Sequence, residues 1–104
     1  MWRRVISAGE LWIGEMRAAS VEELPVLLVN VEGRVQAFED RCAHQGVPLS
    51  QGKLQAGIIT CSAHEWQYDA TTGQCLNPCQ VALKTFPVEL RDGDIWVEIA
   101  GLGR

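Results

Sequence analysis

Apolar and polar residues alternate with a period of two through most of this chain, the spacing that puts successive side chains on opposite faces of a strand. Trp2 to Ile6 reads as a first strand. Ser7-Ala8-Gly9-Glu10 has the Ser-x-x-Glu form of a capping box and predicts one short helical turn near Leu11 and Trp12. Val26 to Val31 is β-branched and leucine-rich, and Glu32-Gly33 separates it from Arg34 to Phe38, where Val35 and Ala37 share one face and Arg34, Gln36 and Phe38 the other. That pattern predicts a hairpin. Beyond Asp40 the chain reads as loop through Gln45-Gly46-Val47-Pro48 and Ser50-Gln51-Gly52, and Gly57 to Cys61 returns as a strand. Trp66-Gln67-Tyr68 predicts another strand, closed by a turn over Asp69 to Gly73. Phe86 to Leu90 and Ile95 to Ile99 flank Asp92-Gly93, a pair suited to the positive φ values of a type I′ hairpin turn. An all-β domain of antiparallel strands, about eight of them and short, is the expectation.

A length of 104 residues predicts a single domain, 1–104. Hydrophobic residues make up 47% and charged residues 21%, as in soluble globular domains. The densest apolar stretch, Pro25 to Val31, is far shorter than the ~20 residues that span a bilayer, and Met1-Trp2-Arg3-Arg4 leads into no signal-peptide core. A cytoplasmic protein with no membrane association is expected. The formal charge of −4 and pI near 5.0 argue against nucleic-acid binding, which normally needs a basic surface. Between Cys42 and Cys79 the ionised side chains are Lys53, Glu65 and Asp69, so a site built there would have a weakly charged rim.

The candidate chemistry lies in two short boxes. Both histidines of the chain sit beside cysteines, in Cys42-Ala43-His44 and Cys61-Ser62-Ala63-His64, with sixteen residues, Gln45 to Thr60, between them. A single histidine or cysteine is usually a surface or core residue, but two such pairs point to a metal. Four cysteines could instead form two disulfides, although a reducing cytosol keeps thiols free. Thiolate and imidazole suit zinc and iron–sulfur clusters alike. Zinc commonly takes paired ligands with two to four residues between them, and Cys42-x-His44 is tighter than that. A two-iron cluster eases the constraint, because each box can send its cysteine to one iron and its histidine to the other.

At this point the chain resembles the Rieske [2Fe-2S] family, and more narrowly the Rieske ferredoxins of bacterial multicomponent aromatic (toluene-type) monooxygenases. The resemblance runs through Leu11 to Met16, Cys42-Ala43-His44-Gln45, Leu49-Ser50-Gln51-Gly52, Gly57 to Trp66, Thr72-Gly73, Asn77-Pro78 and Phe86-Pro87-Val88. It implies a small cluster-binding subdomain of two ligand loops, about 41–80, on a base formed by the remainder. Cys42 and Cys61 would then hold the inner iron, and His44 and His64 the outer, more exposed one. Two ferric ions, two sulfides, two thiolates and two neutral imidazoles sum to zero charge, so reduction leaves only one negative charge and the potential lies above that of an all-cysteine ferredoxin. The staple that links the two loops in high-potential relatives cannot form, since its positions are Val47 and Ala63. Tyr68 stands where those relatives have a tyrosine bonded to a ligand sulfur, and is expected to raise the potential modestly. Cys75 and Cys79, near a third loop at Asn77-Pro78, are expected to be structural or incidental thiols.

With both histidines committed, no open site of the two-histidine, one-carboxylate kind remains for oxygen activation. The resemblance therefore implies a one-electron shuttle, not an enzyme. Its donor would be an NADH oxidoreductase carrying flavin and iron–sulfur groups. Its acceptor would be the carboxylate-bridged di-iron hydroxylase of an aromatic or alkene monooxygenase, and a monomer is expected. A docking rim of Gln45, Gly46, Pro48, Glu65, Trp66 and Pro78 is predicted around the histidine edges, with Glu22, Glu23, Asp92 and Asp94 as remote steering charges. Two alternatives stand beside this reading: a ferredoxin of an aromatic-ring dioxygenase, and a structural zinc-binding interaction module.

Overall fold

The computed structural model describes residues 1–42, 46–63, 65–77 and 81–99. Its strands are β1 (Trp2–Ser7), β2 (Met16–Val21), β3 (Leu24–Val31), β4 (Arg34–Glu39), β5 (Lys53–Gln55), β6 (Ile58–Thr60), β7 (Gln67–Asp69), β8 (Cys75–Asn77), β9 (Thr85–Phe86), β10 (Val88–Arg91) and β11 (Asp94–Glu98). They form three antiparallel sheets, ordered β1-β11-β10, β2-β3-β4-β9 and β5-β6-β7-β8. The fold is all-β, as the residue pattern predicts.

The middle sheet is buried on both faces, which explains why β3 reads as a continuous apolar run. Val26 and Leu28 of β3, with Ala37 of β4, pack against Ile95 and Val97 of the first sheet. Leu27 and Val29, with Phe38, face the third sheet and pack with Leu49, Ile59, Tyr68, Cys42 and Cys61. The register pairs Leu27 with Phe38 and Leu28 with Ala37, so each cross-strand pair contributes to one core only. Phe38, grouped with polar neighbours by alternation alone, is fully buried for this reason.

The hairpins turn on pairs of residues with left-handed backbone. Asp92-Gly93 (φ 51° and 82°) is type I′-like, as predicted, and Glu32-Gly33 (φ 57° and 91°), which closes the predicted hairpin, and Ala56-Gly57 (φ 54° and 76°), which closes β5 onto β6, turn in the same way. Three strands escape the sequence reading. β2 (Met-Arg-Ala-Ala-Ser-Val) is an edge strand, mostly exposed and without strict alternation. β5 and β8 are three residues each, too short to show a period. The predicted strand from Phe86 to Leu90 is in fact two. Phe86 pairs with Ala37 in the middle sheet and Val88 with Val97 in the first, and the chain crosses between them at Pro87, which has no N–H for either ladder. The predicted capping box does not form either: a short 3-10 turn spans Ala8–Glu10, but the Ser7 side chain makes no capping bond.

Candidate metal centre

Cys42 follows β4 and Cys61 follows β6, so the middle and third sheets each deliver one thiol into their shared core. Both are buried, 1% and 0% exposed. Short backbone bonds shape the two loops. Cys42 N–H donates to Val47 O at 2.8 Å and Gly46 N–H to Cys42 O at 2.8 Å, while Cys61 N–H donates to Trp66 O at 2.7 Å. Each box is thus closed on itself within about five residues. His44 and His64, the other two predicted ligands, lie outside the described residues, as do Gln45, Pro78 and Cys79.

Asp40 closes the first loop from beneath. Its buried carboxylate accepts from Ser50 N–H at 2.8 Å and from Ser50 Oγ–H at 2.7 Å, ten residues along the chain. Ser50 lies in the short 3-10 turn Leu49–Gln51, and Leu49 is fully buried in the core that holds both cysteines. Gly52 then passes so close to the second box that a Cβ on it would stand 1.9 Å from Thr60 O and 3.3 Å from Cys61 Cα. One run of chain, Asp40 to Gly52, therefore spaces Cys42 and Cys61. The sequence reading missed this: Ser50-Gln51-Gly52 is visible as a loop, but its partner Asp40 and its close neighbour Thr60 are each about ten residues away.

Two polar groups lie against the sulfurs. Tyr68 Oη, fully buried on β7, lies 3.3 Å from Cys42 Sγ, and Ala63 N–H points at Cys61 Sγ over 3.4 Å. Burial pushes the Cys61 thiol above its ordinary pKa, and neighbouring Cys42 adds to the rise while the Ala63 N–H opposes it. Two adjacent buried sulfurs resist ionisation unless a cation replaces their protons, and a bound metal does so. Among the described residues no third His, Cys, Asp or Glu joins them. The donor set fits a cluster with two thiolate ligands whose remaining ligands come from elsewhere in the loops. An apolar groove near 670 Å³, lined by Ile13, Val31, Leu54, Ile58 and Leu76, opens at the β5–β6 turn, the opposite end of β6 from Cys61.

Several expectations change. Cys75 is disulfide-bonded, not a free thiol. Trp66 precedes β7 instead of opening it, and is half-buried, whereas Gly46, Pro48 and Glu65 of the predicted rim are exposed. Glu22 and Asp94 are not loose steering charges: Glu22 pairs with Arg3, and Asp94 with Arg4 at 3.1 Å.

Residues 1–87 match the Rieske [2Fe-2S] domain family. The ferredoxin component of the alkene monooxygenase system of Xanthobacter autotrophicus is 42% identical over 94 residues, covering 89% of this chain and 77% of that protein. The ferredoxin component of biphenyl 2,3-dioxygenase from Rhodococcus jostii is 33% identical over 94% of this chain and 92% of its own length. Among solved structures, a Sphingomonas yanoikuyae B1 ferredoxin superposes with a TM-score of 0.86 at 29% identity, covering 94% of this chain and 98% of that one. A chain in the complex of reduced oxygenase and oxidized ferredoxin of carbazole 1,9a-dioxygenase gives 0.84 at 32% identity, covering 92% and 91%. Such relatives are electron-carrying components of oxygenase systems and not catalysts, and among the described residues no helix is long and apolar enough to cross a membrane. The chain belongs to the Rieske [2Fe-2S] domain family, as a ferredoxin component of an oxygenase system.

Proposed function

We propose that this protein carries single electrons from an NADH-dependent reductase to the di-iron hydroxylase of an aromatic or alkene monooxygenase. The observation that carries the electron-transfer reading is the pair of buried thiols with Tyr68 Oη and Ala63 N–H directed at their sulfurs. Donors to sulfur stabilise the more negative, reduced state of a cluster. Cys42 and Cys61 hold the inner iron and His44 and His64 the outer. When bound, the cluster supplies a reversible one-electron couple; the chain's own residues fix its ligands, keep water from the inner sulfurs and bias the potential. The whole chain acts as one domain, with its cluster-binding part over about 41–80. It works as a monomer in the cytoplasm, without nucleic acid.

The monooxygenase branch is favoured by the higher identity to the alkene monooxygenase ferredoxin component, 42% against 33% for the biphenyl dioxygenase ferredoxin. An aromatic-ring dioxygenase acceptor is the second reading, supported by that second relative and by the likeness to the carbazole dioxygenase complex. The test begins with iron and zinc counts and electron paramagnetic resonance before and after dithionite. Two irons per chain, a silent oxidised form and a rhombic reduced signal with average g below the free-electron value are expected. A colourless protein with one zinc overturns the carrier reading. Cys42→Ser, His44→Ala, Cys61→Ser and His64→Ala should each abolish the signal. Turnover reconstituted with a di-iron monooxygenase or with a ring dioxygenase then separates the two acceptors.

A further inference from the structure

Cys75 is the one described cysteine held in a disulfide, although it shares a core with Cys42 and Cys61. The chain has four cysteines, and neither Cys42 nor Cys61 takes part in a disulfide. Elimination leaves Cys79 as the partner, four positions along the chain and outside the described residues. The ring so closed spans residues 75–79 only. A staple stabilises chiefly through the chain entropy it removes from the unfolded state, and that effect is smallest for short rings. Stability alone is therefore a weak reason for this bond. In a reducing compartment a permanent structural disulfide is also out of place, and those that occur there are mostly transient or redox-sensing.

The place of Cys75 in the third sheet couples it to the centre. β8 holds to β7 by two ladder pairs, Gln67 with Asn77 and Tyr68 with Cys75, and the register shifts between them, which makes Leu76 the extra, bulged residue. Leu76 is half exposed, whereas Cys75 is buried in the core. On its other side Cys75 N–H donates to Val81 O at 2.9 Å and closes the neck of the segment that carries Cys79. A strand so short and irregular has little ladder of its own to resist local opening. The covalent bond at Cys75 is what anchors β8 against Tyr68, and Tyr68 in turn lays its Oη 3.3 Å from Cys42 Sγ. A continuous path runs from the disulfide through the Tyr68 ring to a ligand sulfur.

We propose that Cys75 and Cys79 form a second redox site, a thiol–disulfide couple that exchanges with dithiols and shifts the potential of the cluster beside it. This rests on the reading of Cys42 and Cys61 as cluster ligands and of the chain as a cytoplasmic electron carrier. A dithiol reductant supplies both electrons and both protons. Its thiolate attacks the S–S bond, a mixed disulfide forms, and its second thiol displaces the remaining sulfur. The Cys75–Cys79 bond breaks, each cysteine gains a proton, and the reductant leaves as a disulfide. β8 then loses its anchor, and the Tyr68 hydroxyl is held less firmly against Cys42. A weaker donor to the sulfur favours the oxidised cluster, so opening the bond lowers the potential.

Thiol counting and voltammetry of the holoprotein test this together. Samples equilibrated with oxidised glutathione or with dithiothreitol are freed of the reagent. One portion is unfolded in N-ethylmaleimide and mapped by peptide mass, and the other goes to protein-film voltammetry. Cys42 and Cys61 label in every sample and serve as the internal standard. Cys75 and Cys79 should label only after dithiothreitol, with the Rieske resonance signal retained. Opening should shift the one-electron equilibrium of the cluster by roughly threefold, ~28 mV downward at 59 mV per tenfold, and oxidised glutathione should restore it. The double variant Cys75→Ser, Cys79→Ser should sit at the lower potential whichever reagent is used. In Tyr68→Phe the shift on opening should fall by more than half, because the hydroxyl through which it acts is gone. Label on Cys75 after oxidised glutathione, no new label after dithiothreitol, or an unchanged potential on opening each overturns the proposal. Loss of the resonance signal on opening overturns it too, by making the bond purely structural. A preparation that never shows the Rieske signal overturns the carrier reading instead, an outcome separate from the label count.

Discussion

Tyr68→Phe removes a single hydroxyl from the interior and should lower the midpoint potential. The ring is fully buried among Ile59, Leu49 and Cys75, so phenylalanine keeps the packing and deletes only the Oη that lies 3.3 Å from Cys42 Sγ. When Cys42 is a metal-bound thiolate the hydroxyl must be the donor. Its bond strengthens when the added electron makes the sulfur more negative, so it favours the reduced state. A bond to a charged acceptor is worth ~1.5–3 kcal/mol and a neutral one ~0.5–1.5. Both redox states carry a thiolate, so only part of that span, on the order of 1 kcal/mol, separates them. A one-electron couple shifts by 59 mV per tenfold change in equilibrium constant, so the expected fall is ~40 mV. Protein-film voltammetry of both proteins measures it directly. The Ala63 N–H to Cys61 Sγ contact is backbone and survives the substitution, which keeps the shift from being larger. A potential unchanged to within about 10 mV, or one that rises, would refute the reasoning and leave Tyr68 as a core residue only.

Gly52→Ala should fail to accumulate as a folded holoprotein, because the new Cβ would lie 1.9 Å from a backbone oxygen that cannot rotate away; soluble yield and bound iron check it. Ser50→Ala removes the hydroxyl bond to buried Asp40, leaving only the backbone N–H one, and should cost ~1–3 kcal/mol in chemical denaturation, with faster bleaching of the visible spectrum. Ser50→Thr should recover most of that loss. Asp69 has its carboxyl held below the ordinary range, first by the Thr71 hydroxyl and then by the Thr71 and Thr72 N–H groups. Its folded pKa is below its unfolded one, so the stabilisation is present above the ordinary value of 3.8 and is lost as pH falls below it towards the folded pKa. Stability measured between pH 5 and pH 3 should therefore decline less steeply in Asp69→Asn than in the parent protein.

The parts of this protein that were legible in sequence are those whose physics is local. Asp92-Gly93 and Glu32-Gly33 announce their turns because positive φ is demanded of two adjacent residues. The two cysteine–histidine boxes stand out as short motifs, and the backbone around each cysteine closes within a few residues, as in Cys42 N–H to Val47 O. β2 was invisible because an edge strand needs no alternation, and the break at Pro87 because it depends on which sheet each neighbour joins. Asp40 with Ser50 and Gly52 with Thr60 were invisible for the same reason: each side of the contact is unremarked until folding brings it to the other.

That division bears on how the centre works. An electron carrier transfers fastest when its ligands hardly move between redox states, and local loop bonds alone would let each box tilt independently. Here the cysteines sit in the core formed by Leu27, Val29 and Phe38 of the middle sheet and Ile59 and Tyr68 of the third. Interiors of this kind are close-packed and resist small displacements. The Asp40 carboxylate then braces the first loop through Ser50, and the close approach of Gly52 to Thr60 sets that loop against the second. The spacing of Cys42 and Cys61 is consequently a property of the apoprotein's core. Substitutions that loosen it, Ser50→Ala before any other, should broaden the reduced resonance signal as well as lower the thermal midpoint, whereas a comparable loss in the far core, Val97→Ala, should lower the midpoint and leave the signal sharp.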